Sequence, residues 1–416
     1  MYSLLRRRLL LPLLAVFAIV GPAFITANVD NDAPGIATYS SAGAHYGYEI
    51  LWILWPTLLV LVIVQEISAR MGVATGKGLA DLIREEFGVK VTLILMLALV
   101  ITNLSNTAGE FAGLAEGATL FGIPKYFSVP VGAFFVWILV LRGSYRSVER
   151  IFLVACLVYL AYPISGFMAH PQWGMIARQS VTFHFQSDVA FVYTAVGVVG
   201  TTIAPWMQFF LQATVVERGT RPAQYHLARW DVIVGAVFAI IVVFFILVAC
   251  AASVYPLSPT KEITALQAAK ALAPLAGEGA TILFAIGLLN AALFAASILP
   301  LSTAYTVCEG IGWERGLDQK FRQAPQFYTL YALLIVLGAG IVLLPGVPLI
   351  RVMIFSQVLN GLLLPVILII MVKLVTRRDI MGKLAAGRTY AAVCWVLTVL
   401  LIALDLFLLG AKVVGK

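Results

Sequence analysis

The chain reads as a succession of apolar runs separated by short polar or basic segments. Runs of about 18 residues or more recur along its whole length, as expected of helices that cross a membrane. The punctuation yields eleven candidate spans, at 12–44, 49–73, 90–121, 127–142, 150–168, 188–216, 231–255, 276–308, 327–345, 350–374 and 388–410. The connecting segments are short. The pattern predicts an all-α polytopic membrane protein forming a single membrane domain.

Two spans are interrupted. The first contains Asn28-Val29-Asp30-Asn31-Asp32-Ala33-Pro34-Gly35, which places acids, amides and helix breakers inside an apolar run. Lipid offers no partner to exposed backbone groups, so such a segment is tolerated only against protein or a water-filled cavity. The sixth contains Gly200-Thr201-Thr202-Ile203-Ala204-Pro205-Trp206. Proline there removes a backbone donor and clashes with the preceding turn. Alone, this would read as a simple kink. Paired with the first break, five spans away, it predicts an inverted repeat of the LeuT type with spans one and six discontinuous. The halves are 1–170 (spans one to five) and 185–375 (spans six to ten), with span eleven and the C-terminus at 386–416 outside them. Half-helix ends would offer carbonyls to a cation near the bilayer midplane.

Charge refines this picture. Of 416 residues, 61% are hydrophobic and 12% charged, with a net charge of +8. The basic residues lie singly or in small groups between spans, which argues against nucleic-acid binding. Counted by alternate loops, twenty-one of the 28 Lys and Arg fall on one side. This bias predicts a cytoplasmic N-terminus and an external C-terminus; the membrane expected is a bacterial inner membrane. Arg6-Arg7-Arg8 and the run after them resemble a signal peptide, but the run continues into the polar break and reads as an uncleaved first span. The four cysteines are widely spaced and read as packing residues. No His-Glu-x-x-His, Ser–His pair at depth or nucleotide loop is present, so an intramembrane enzyme is disfavoured and no cofactor is expected.

Asp32 is the leading ligand candidate, because a carboxylate at membrane depth needs a partner and a cation is the natural one. The other donors within reach are oxygens: carbonyls near Val29 and Thr201, and the hydroxyls of Thr201 and Thr202. Ala204 offers no sulfur and leaves room for water. No histidine lies mid-span. An all-oxygen set suits hard ions. Asn106 and Glu110, four apart, share a helix face. They line an aqueous path or make interhelical hydrogen bonds.

At these residues the chain resembles the Nramp family of divalent-metal transporters over nearly its whole length. Gly21-Pro22 with Asp32-Ala33-Pro34-Gly35 is similar to the family's span-one motif. Gln65-Glu66 through Gly76-Lys77, Phe121-Gly122-Ile123-Pro124, Glu309-Gly310, and Gln357 with Pro365 follow in order. The departures are informative. The motif asparagine aligns with Gly35, the span-six Met-Pro-His with Ala204-Pro205-Trp206, and the span-three acids with Asn106 and Gly109. These departures resemble the Nramp-related magnesium transporter branch. The resemblance implies a facilitator of hydrated magnesium, and also of manganese, without proton coupling. It implies Asp32 as ion ligand, Val29 and Thr201 as supporting ligands, Gly35 and Ala204 widening the cavity, Gln357 lining it, and Trp206 as a wall or gate. The expected partners are the ion and the bilayer, with the chain a monomer. The alternatives are a proton-coupled manganese or iron importer and a divalent cation channel. Asp32→Ala is expected to abolish ion uptake into proteoliposomes while leaving expression intact.

Overall fold

The computed structural model describes residues 21–142, 151, 154–186, 188–255, 265–317 and 319–413, and these are helical without a strand. The basic start Arg6–Arg8 and the opening of the first predicted span lie outside the described residues. The first apolar run divides into α1 (Pro22–Val29) and α2 (Ala33–Tyr46), and a 3-10 stretch, Gly47–Ile53, leads into α3 (Leu54–Thr75). Then come α4 (Leu79–Thr119), α5 (Lys125–Arg142), α6 (Ala161–Met168) and α7 (Trp173–Val181). The second half holds α8 (Val189–Thr202), α9 (Pro205–Glu217), α10 (Tyr225–Ser253), α11 (Ala265–Ile311), α12 (Pro325–Leu343) and α13 (Leu349–Val375). A short α14 (Arg378–Met381) precedes α15 (Arg388–Val413).

Among the described residues, eight helices are long and apolar enough to cross a membrane, or nine if the pair bent by 112° at 154–181 is one span. The difference from eleven has local causes. The first two predicted spans run together through the 3-10 stretch as one 43-residue segment, and the fourth is short, Lys125–Leu141. The third extends below its expected start because Leu79–Phe87 continues it across a kink. Gly88 adopts φ 80° and ψ 169° there, a conformation open to glycine but strained for other residues.

The breaks follow from local sequence. Pro22 opens α1, where a missing amide costs nothing. Asp32 is extended (φ −75°, ψ 174°), and its side chain caps α2 by accepting from the Gly35 amide at 2.5 Å. Pro205 opens α9 after an extended Ala204. α1 is also capped from outside its own segment. Asp231, at the start of α10, accepts from the amides of Gly21 (2.8 Å), Ala23 (2.9 Å) and Phe24 (3.1 Å). These are amides that a helix start leaves without partners.

Small residues let the helices around the first break approach closely. A Cβ on Gly113 of α4 would fall 2.1 Å from the Ala33 Cβ, and one on Gly109 2.8 Å from Pro34 Cγ. α4 therefore packs directly on the first turn of α2, and an acid at position 109 would have no room. The predicted basic loops meet at one end: Arg377 pairs with Glu86, Arg315 with Asp81 at 2.7 Å, and Gln212 donates to the Lys77 carbonyl at 2.9 Å.

Removing the Asp231 carboxylate strands three amides at the head of α1. Asp231→Ala is expected to lower stability by about 1–2 kcal/mol, the range of a lost helix cap, read as a lower unfolding midpoint in detergent. Asp231→Asn, which keeps one acceptor, should lose less.

Candidate metal-binding site

The two interruptions face each other in the middle of the bundle. Residues 28–35 and 200–206 are all buried. The first break runs through Asp30, Asn31 and Asp32. The second runs through Ile203 (φ −134°, ψ 62°) and Ala204 (φ −70°, ψ 141°). Helix ends leave their last carbonyls and first amides without intrahelical partners, so both breaks bring polar backbone to the bundle's interior. Val29 ends α1 there.

Oxygens from both breaks converge beside Gly35. A Cβ on that residue would lie 2.8 Å from Asp32 Oδ1, 2.8 Å from Thr201 Oγ1 and 2.9 Å from the Asp30 carbonyl oxygen. Only a residue without a side chain leaves this point open. Thr201 Oγ1, Asp30 Oδ2 and Glu110 Oε1 are buried without a hydrogen-bond partner. Unpaired buried oxygens are costly, and an ion or its waters would satisfy them. Among the described residues no lysine or arginine forms an ion pair with Asp32. No ready-made group of three His, Cys, Asp or Glu able to hold a metal is present among them either. The donor set is mixed: carboxylate, hydroxyl and carbonyl oxygen.

The remaining expected residues separate into two groups. Glu110 reaches the first break, where its Oε2 accepts from the Ala33 amide at 3.3 Å and its carboxyl interacts with Asp32. Ala204 is fully buried at the second break, and the Asp30 carboxylate interacts with its backbone. Asn106 turns away from Glu110 and pairs with Asn360 across α4 and α13, at 3.0 and 3.3 Å, which is the interhelical reading. The Gln357 Oε1 accepts from Asn360 at 3.0 Å and its amide donates to Ser356 at 3.1 Å, so its polar atoms are engaged along α13. The Thr202 hydroxyl is taken by Tyr39 (2.9 Å) and the Val198 carbonyl (2.7 Å) rather than standing on an open path. Trp206 is buried, and its ring lies 6.1 Å from that of Phe210.

Sequence reasoning offered both the carbonyl and the hydroxyl of Thr201, of which the geometry presents the hydroxyl, and it did not single out the Asp30 carbonyl. Neither orientation has a signal in residue type. A cavity of about 810 Å³ opens between α2, α8 and α13, lined by Ser41, His45, Tyr193 and Arg351. Thr38 and Gly197 also line it, one helical turn from Gly35 and Thr201.

Interrupted helices around a buried oxygen cradle, in an all-helical multi-span bundle, define a membrane transporter rather than an enzyme. Residues 23–411 match the family model described as natural resistance-associated macrophage protein-like, and the chain belongs to this Nramp family. It is 27% identical over 404 residues to the divalent metal cation transporter MntH of Deinococcus radiodurans, covering 95% of this chain and 90% of that one. It is 28% identical over 422 residues to MntH of Mesorhizobium japonicum, covering 96% and 90%. The manganese transporter of Eremococcus coleocola, crystallised with an aromatic bis-isothiourea compound, shares the fold at a TM-score of 0.79 and 19% identity, covering 94% and 86%. MHP1, a nucleobase-cation-symport-1 family transporter, shares it more loosely at a TM-score of 0.57 and 16% identity, covering 94% and 92%.

Gly35→Ala puts a methyl at the point where three oxygens meet. Ion uptake is expected to fall by at least about tenfold, a loss of about 1.4 kcal/mol, with an unchanged elution profile. Uptake at the wild-type rate would show that this point is not on the ion's route.

Proposed function

We propose that this chain carries hard divalent cations across the membrane by alternating access, with manganese as its cargo. The observation that carries this reading is the meeting of Asp32 Oδ1, Thr201 Oγ1 and the Asp30 carbonyl oxygen at one buried point. Carboxylate, carbonyl and water donors suit magnesium, calcium and manganese, whereas softer metals recruit sulfur and imidazole. Manganese is placed first because the fold neighbour from Eremococcus coleocola is a manganese transporter and the named relatives are divalent metal cation transporters. Uncoupled magnesium transport, expected from the sequence, is not what those relatives support; they favour the manganese or iron importer.

Magnesium remains as a second reading, with the magnesium branch of the family, on one observation. Ala204 and Gly35 stand where larger ligands would shed an ion's waters, and magnesium gives up its waters reluctantly. The two buried breaks support halves at 1–170 and 185–375 related by an inverted repeat, eleven spans in all, with Asp32, Val29, Gly35, Thr201 and Ala204 around the ion. The gathering of basic loops at one end supports a cytoplasmic N-terminus in a bacterial inner membrane.

Proteoliposome uptake with manganese, magnesium and cadmium separates the readings. Saturable manganese uptake exceeding magnesium uptake at equal concentration is expected. A magnesium preference would put the second reading first, and no dication uptake would overturn both. Ala204→Met adds a thioether at the second break, and cadmium uptake relative to manganese should rise by about tenfold, or 1.4 kcal/mol of added preference.

A further inference from the structure

We propose that the Asp30 carboxylate is a second anionic ligand for the transported cation, beside Asp32. This rests on the function proposed above and adds a ligand to its site. Asp30 follows the last residue of α1 and is 3% exposed. Its Oδ2 has no hydrogen-bond partner. Its charge faces that of Asp32, and no lysine or arginine among the described residues pairs with it. An acid that is ionised at this depth needs a cation beside it or all its lone pairs filled. Asp30 has neither.

Two further observations are independent of the acids. The Thr201 hydroxyl is fully buried and unpartnered, and it borders the same point as Asp32 Oδ1, each 2.8 Å from where a Cβ on Gly35 would stand. Asp30 also offers its own carbonyl oxygen there, at 2.9 Å. Residue 30 therefore borders the hollow through its main chain while its side chain opposes Asp32.

The consequence is selectivity by charge. A dication balances more of the negative charge held by Asp30 and Asp32, with Glu110 beside them, than sodium or potassium would. A geometric consequence accompanies it. The Asp30 carboxylate interacts with the Ala204 backbone at the head of α9. An ion held by Asp30 is thereby tied to both interrupted spans, and its arrival or departure bears on their relative position.

The test uses the full-length protein in proteoliposomes, with manganese as the probe, and compares Asp30→Asn with Asp32→Asn. Asparagine keeps an acceptor for the Ala204 amide and removes only the charge. The expected result is a manganese KM raised at least about tenfold with kcat within about twofold, the signature of lost binding rather than lost motion. Sodium should also compete more strongly with manganese in this variant. An unchanged KM in Asp30→Asn, alongside lost uptake in Asp32→Asn, would overturn the proposal and leave the transport function standing. Normal uptake in both variants would overturn the site at the two breaks, and no manganese uptake by the unmutated protein would overturn the function itself. Should Asp30→Asn not yield folded protein, Asp30→Glu decides. It keeps the charge on a longer arm, so a ligand's displacement shifts the manganese KM by about threefold or more. An unchanged KM would mark Asp30 as structural.

Discussion

The structure depends on one constraint: a backbone amide or carbonyl inside a bilayer must find a partner within the protein. Two helices that stop and restart at depth multiply the groups that need partners. The chain meets part of this need with side chains from elsewhere. Asp231 takes three amides at the head of α1, Asp32 takes one at the head of α2, and Glu110 takes the Ala33 amide. Some buried side-chain oxygens at the breaks stay unmatched. Thr201 Oγ1, Asp30 Oδ2 and Glu110 Oε1 are left over where the two breaks meet. The polar groups that would destabilise an ordinary span become the donor set for an ion.

The same constraint explains the small residues nearby. Oxygens from different helices converge only if the helices approach closely. Gly109 and Gly113 bring α4 against the first turn of α2. On the far side, a Cβ on Gly200 would lie 2.4 Å from the Gln357 carbonyl, so α8 rests on α13 through bare backbone. Gly35 differs in kind, since its missing side chain leaves space for cargo rather than for a helix.

Much of this was legible in the chain. The apolar runs located most of the helices, because lipid tolerates few polar positions, but α4 and α11 begin well before their predicted starts and α7 had no predicted span. Asp32 stood out because an acid inside such a run demands an explanation. What residue types could not convey was direction. Asn106 and Glu110 share a face by spacing, yet one pairs with Asn360 and the other reaches the first break. Gln357 looked available, but Asn360 and Ser356 engage its amide. Asp231 is only the first position of a predicted span in the sequence, and it caps a helix about two hundred positions away. The cargo was the least legible feature, since manganese and magnesium accept the same oxygen donors and differ chiefly in how readily they shed water.

The central claim is most directly tested by locating the ion. Crystals soaked in manganese, with data collected at its absorption edge, would give an anomalous peak at the bound metal. The account predicts one peak between the two breaks, bordered by Asp32 and Thr201. Oxygens would lie at about 2.0–2.6 Å if the ion is stripped, and farther if waters intervene. A protein that transports manganese yet shows its peak elsewhere, with the Asp32 carboxylate held by a lysine or arginine instead, would contradict it.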